Sequence, residues 1–182
     1  MLSLDDRARL LRLARRCLEA RVHREPAPPV ERGGALDDPM GAFVSIHTAG
    51  DLRGCLGRLE ADRPIAETVA HLSAVVSDSD PRFRPLAAFE LALTDIEISA
   101  LAREEAVDDI CEIEVGRHGL IIAHGHRRGL LLPQVAIEQG WNREMFLEHT
   151  CIKAGLPANA WRSDAKIFKF EAQVFGEKER VV

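Results

Sequence analysis

One pattern of punctuation occurs twice in this chain of 182 residues and limits what it can fold into. "AFVSIH" and "LRGCL" flank the connection "TAGD", and "HGLIIAHGHRRGLLLP" carries two further apolar runs broken at Gly125. Connections this short join antiparallel neighbours, because a parallel crossover needs a dozen or more residues. A helical pattern follows each pair: "RPIAETVAHLSAVVS", with apolar residues at 65, 69, 72 and 76, and "QVAIEQ". Arg53-Gly54 and Arg128-Gly129 fall at similar places, so the outline fits a duplicated hairpin-helix unit in which Leu130 stands where Cys55 does.

The remaining segments agree with an α+β class, mostly antiparallel sheet with flanking helices. Ser3 and Asp6 form a capping-box pattern before Leu10, Leu13, Ala14, Cys17 and Leu18 at helical spacing, which makes Cys17 a core residue. "EPAPPVERGGALDDPMG" is a loop. Pro64 fits the first turn of the helix after it, and "DSDPRFRPL" ends that helix. "FELALTDIEISAL" alternates as a strand with a phase slip at Thr94 and Asp95 that predicts a bulge. Asn142 caps a helix that stops at Gly155, and "KIFKFEAQVF" is the last strand.

Charge and cysteines exclude several function classes. A net charge of -5 supplies no basic stripe for nucleic acid, and Arg127 and Arg128 are isolated. No apolar run is long enough to span a membrane, and the mixed charges near the N-terminus do not read as a signal peptide, so the expectation is a cytoplasmic protein. Cys17, Cys55, Cys111 and Cys151 form no Cys-x-x-Cys pair and are expected as free thiols. Dinucleotide, phosphate-loop and serine-elbow motifs are absent. His118, His124 and His126 fix no third ligand by spacing, so no metal site is read and they are expected as solvated loop histidines. Glu138, Glu144 and Glu148 read as helix surface, and Trp141 and Trp161 as core or rim aromatics.

The strongest candidate for chemistry is Cys55. Gly54 and Gly57 let backbone N–H groups or a ligand approach closely, and Arg53 or Arg58 nearby would favour thiolate over thiol; the alternative is a packed thiol in a glycine-tight hairpin, the commoner habit of free cysteine. In an unbroken strand Arg53 and Cys55 share one face and Leu52 and Leu56 the other. His47 is the nearest candidate base, but its side depends on register. A two-residue loop at Ala49 and Gly50 sets Val44 opposite Cys55 and turns His47 away, whereas a one-residue shift brings Ser45 and His47 round. Asp80 and Arg82 lie in a turn where the carboxylate could fold back to orient Arg53, or where Asp80 simply caps the turn and Arg82 is surface.

"LRGCLG" (52–57), "DPRF" (80–83), "GRHGLII" (116–122), "GLLLPQVA" (129–136), "KAGL" (153–156) and "VFGE" (174–177), in this order, resemble the AMMECR domain family, whose bacterial members are AmmeMemoRadiSam system protein A. The likeness spans roughly residues 41–177 of what reads as a single domain over 1–182. The family hexapeptide has isoleucine where this chain has Leu56, a volume-conserving change. The resemblance implies two lobes built on antiparallel sheet and a functional motif of Leu52, Arg53, Gly54, Cys55, Leu56 and Gly57. It also implies two partners, a Memo-like protein related to extradiol dioxygenases and a radical S-adenosylmethionine protein, but no established reaction or cofactor. Two roles follow. In one the chain is an enzyme or enzyme component with Cys55 as nucleophile or thiol ligand, Arg53 binding substrate, and His47 or Asp80 assisting, with Arg58 and Arg82 as further binding candidates. In the other it is a non-catalytic module that presents the 52–57 hairpin to those partners through Arg53.

Overall fold

The computed structural model describes residues 1–178 and has the α+β architecture the spacing predicts. Its α-helices are α1 (Leu4–His23), α2 (Ile65–Val75), α3 (Pro133–Glu138) and α4 (Arg143–Lys153). Its strands are β1 (Gly41–Thr48), β2 (Asp51–Arg58), β3 (Thr94–Leu101), β4 (Glu105–Ala106), β5 (His118–His124), β6 (Arg127–Leu131) and β7 (Lys166–Gly176). Two units divide the chain: Met1–Leu101 with the segment from Gln173, and Ala102–Ala172. No helix among the described residues is long and apolar enough to cross a membrane.

In the first unit β1 lies between β2 and β3, antiparallel to both. One face of this sheet is the floor of the core: Ala42, Val44 and Ile46 of β1 and Ile96, Ile98 and Ala100 of β3 are buried. Helices α1 and α2 pack together above it through Leu10, Leu13, Ala14, Cys17 and Leu18 on one side and Ile65, Val69, Leu72 and Val76 on the other. Each fully buried Leu, Ile or Val contributes about 1.5–3 kcal/mol of hydrophobic stabilisation before entropy is counted. The Ser3 hydroxyl accepts from the Asp6 N–H while the Asp6 carboxylate accepts from the Ser3 N–H, so the expected capping box starts α1. Two boundaries differ from the sequence reading. Pro64 is the N-cap of α2 rather than a first-turn residue. Residues Ala88–Leu93 form a 3-10 helix, so the phase slip at Thr94 is the point where that helix hands over to β3, and not a bulge.

In the second unit β5 pairs with β6 and β7, and β4 pairs with β7, all antiparallel. Leu120 and Ile122 of β5, Phe146, Leu147 and Cys151 of α4, and Trp161 form its core. His124 and His126 are exposed, as expected. His118 is not: it is buried, and its Nδ1 accepts the Glu114 N–H at 3.0 Å. Trp141 is a rim aromatic stacked on His149, with ring centroids 3.9 Å apart. The helix that covers the second hairpin is α4, which packs on β5 and β6, rather than the α3 that directly follows it in sequence. A Cβ on Gly129 would stand 2.3 Å from the main-chain nitrogen of Ala154, the C-cap of α4. In the first unit a Cβ on Gly54 would stand 3.0 Å from the carbonyl of Val76, the C-cap of α2. Both Arg-Gly pairs thus put the glycine where a helix end rests on the sheet.

Candidate functional site

Register around Cys55 combines both alternatives left open by the sequence. Ala49 and Gly50, at φ +53° and +94°, make the two-residue turn that pairs Thr48 with Asp51 and His47 with Leu52. A bulge then leaves Arg53 without a partner, and the ladder resumes with Ile46 opposite Gly54, Ser45 opposite Cys55, Val44 opposite Leu56 and Phe43 opposite Gly57. Residues directly opposite share a face, so Cys55 and Ser45 lie away from the core, in line with Glu97 of β3 and on the same side as Phe43 and His47. Because alternation breaks at Arg53, Leu52 does not share a side with Leu56: Leu52 is 41% exposed, while Leu56 packs on the core.

Apart from the exposed Leu52 and from Cys55, the residues of the hexapeptide are committed to architecture. Arg53 donates through Nε and Nη2 to the Glu90 carboxylate at 3.0 and 3.2 Å, and through Nη1 and Nη2 to the carbonyls of Arg84 and Pro85 at 2.9 and 3.3 Å. Its side chain is 13% exposed and that of Glu90 10%. The Arg53 guanidinium, followed by the Ala87 N–H, holds the Glu90 carboxyl below the usual carboxylate range. Gly54 leaves room for the end of α2, and Gly57 lies flat under the Phe43 ring, 2.1 Å from where its Cβ would be. The two glycines are therefore filled by the protein's own atoms on opposite faces. Arg58 pairs with Glu60 and Asp62 on the surface.

What remains is Cys55, which is partly exposed. The Ser45 hydroxyl donates to its sulfur at 3.2 Å. Its N–H donates to Asp80 Oδ2 at 2.8 Å, and its carbonyl accepts from Arg82 Nη2 at 3.4 Å. Asp80 also accepts from Arg82 Nε at 2.9 Å, from Nη2 at 2.7 Å and from the Arg82 N–H at 3.1 Å, so the turn after α2 is fastened to residue 55 by one carboxylate. The Arg82 guanidinium, with the N–H groups of Cys55 and Arg82, holds the buried Asp80 carboxyl far below the usual range despite its desolvation. In return Asp80 raises the Arg82 guanidinium, and Cys55 adds to that effect.

Asp80 does not orient Arg53; the carboxylate that does is Glu90, which the sequence reading missed. Its only trace in the sequence was a single acid inside the apolar run "AFELAL". Ser45 was seen only as a register alternative. His47 is buried, two residues along β1 from Ser45 on the same face, and opposite Asp95 of β3. Among the described residues no three His, Cys, Asp or Glu side chains are grouped to hold a metal ion.

The profile of the AMMECR1 family matches residues 11–175. A protein of Thermofilum pendens is 40% identical over 97% of this chain and 92% of its own length, and protein MK0488 of Methanopyrus kandleri is 41% identical over 98% and 91%. The crystal structure of Pyrococcus horikoshii protein PH0010 superposes with a TM-score of 0.84 at 37% identity, covering 93% of this chain and 90% of that one. The chain belongs to the AMMECR1 family.

Proposed function

We propose that this protein is an enzyme or enzyme component whose nucleophile is the Cys55 thiol, acting in a system with a Memo-like, dioxygenase-related protein and a radical S-adenosylmethionine protein. The observation that carries this reading is the convergence on one residue. The sulfur of a partly exposed residue receives a hydroxyl hydrogen bond from Ser45, and the main chain of that residue is gripped on both sides by Asp80 and Arg82. A donor to sulfur, an adjacent cation and a rigid backbone are what a nucleophilic thiol requires. His47, on the same face, is the candidate to take the thiol proton as sulfur attacks an electrophilic carbon. Arg53 serves as a positioning residue in this reading, fixing the 84–90 segment beside β2.

Labelling with iodoacetamide at neutral pH, followed by peptide mapping, tests it. The exposed Cys111 supplies the comparison in the same sample. Faster labelling at the less exposed Cys55 is the expected result, and labelling at or below the Cys111 rate defeats the nucleophile. A second reading, the non-catalytic docking module, draws on the exposed Leu52 at the hairpin. Cys55→Ser keeps partner capture intact under that reading, and Leu52→Ser removes it.

A further inference from the structure

Resting on the reading of Cys55 as a nucleophile, we propose that the substrate of this site is an anionic electrophile and that Arg82 receives its charge. Three arginines lie in or beside the motif, and two are spoken for: Arg53 by Glu90 and two carbonyls, Arg58 by Glu60 and Asp62. Arg82 is different. Its pairing with Asp80 is side-on, through Nε and Nη2, and Nη2 also reaches the Cys55 carbonyl. None of these bonds uses Nη1, and the side chain is 56% exposed while that of Asp80 is 3% exposed. The same carboxylate takes the Cys55 N–H, so the cation is indexed to the residue that carries the sulfur. The Phe83 ring, with its centroid 5.4 Å from Arg82 Cζ, flanks the guanidinium as well.

A guanidinium held this way has already given up most of its rotamer freedom, so an oxyanion that binds Nη1 meets a preorganised donor beside the nucleophile. A carboxylate is the simplest such group. Steering of the substrate charge by Arg82 and attack by Cys55 would then act on neighbouring atoms of one molecule.

The test compares iodoacetate with iodoacetamide on the full chain. In both, sulfur forms a bond to the CH2 carbon, iodide leaves and the thiol proton passes to solvent. The ratio of the two rates at Cys55 is read against the ratio for N-acetylcysteinamide, a neutral thiol. An iodoacetate preference at least about threefold above that reference is expected, the effect of a unit charge a few ångströms away in high dielectric. It should fall to the reference value in Arg82→Gln, survive in Arg82→Lys and in the control Arg84→Gln, and shrink as salt is raised. A ratio equal to the reference in the wild type, or one that Arg82→Gln leaves unchanged, overturns the assignment of an anionic substrate while Cys55 remains a nucleophile. Failure of Cys55 to react with either reagent removes both.

Discussion

Replacing Asp80 by asparagine keeps the shape of the side chain and removes its charge, so it isolates what the carboxylate contributes. Four donors converge on the two oxygens: the N–H groups of Cys55 and Arg82, and Nε and Nη2 of the Arg82 guanidinium. Hydrogen bonds from main-chain N–H groups to an ionised acceptor are worth about 1.5–3 kcal/mol each. Asparagine retains one carbonyl oxygen and turns its NH2 against donors, so about one such bond is lost outright and a neighbouring donor is left without an acceptor. The guanidinium contribution is discounted to about 1 kcal/mol or less, because Arg82 is 56% exposed. The sum is a destabilisation of about 3 kcal/mol, or about 6–12 °C in Tm for a chain of this length. Urea unfolding at neutral pH measures it. The pH dependence follows from sign: a carboxyl held below its unfolded value contributes stability that is complete above the unfolded pKa of about 3.9 and is lost as pH falls toward the folded value. The gap between wild type and Asp80→Asn should therefore narrow by about 1 kcal/mol at pH 3. A gap below about 0.5 kcal/mol at neutral pH, or one that stays constant down to pH 3, contradicts the reasoning.

Three further outcomes follow from the same packing. Glu90→Gln leaves the Arg53 guanidinium largely buried without its counter-charge and should cost about 2–4 kcal/mol in urea unfolding. Gly57→Ala drives a methyl into the Phe43 ring and should cost about 1–3 kcal/mol, most of it recovered in the double variant with Phe43→Ala, because the obstacle is a side chain. Gly129→Ala meets the Ala154 main chain, which cannot swing aside, so it should destabilise more than Gly57→Ala in thermal melts, and no single side-chain truncation should rescue it.

Local periodicity made much of the fold legible. The capping box at Ser3, the helix face of 65, 69, 72 and 76, the two hairpins and the last strand depend on residues close in sequence, and they stand where the spacing puts them. What was not legible depends on partners far along the chain. The alternation rule placed Arg53 beside Cys55 because a bulge has no signature of its own when the extra residue is a long cation that can leave the ladder. The carboxylates that claim Arg53 and Cys55 lie 37 and 25 positions away, at a distance over which no spacing rule operates. His118 is the exception, since the N–H that its ring accepts belongs to Glu114, four residues back, and it is the burial of the histidine that spacing does not reveal. The hexapeptide itself is legible in the sequence, and the close approach that its glycines allow is, in the structure, that of the protein's own atoms: the Val76 carbonyl at Gly54 and the Phe43 ring at Gly57.

If the Cys55 sulfur owes its reactivity to the groups folded around it, removing the Ser45 hydroxyl is the smallest change that should show it. Ser45→Ala deletes a single hydrogen bond at 3.2 Å and leaves β1 intact. The iodoacetamide rate at Cys55 should fall by about threefold to tenfold, the equivalent of roughly 1 kcal/mol, while the rate at Cys111 stays the same. An unchanged Cys55 rate in a folded variant would mean that the surroundings do not tune this thiol, and the catalytic account would have to be abandoned.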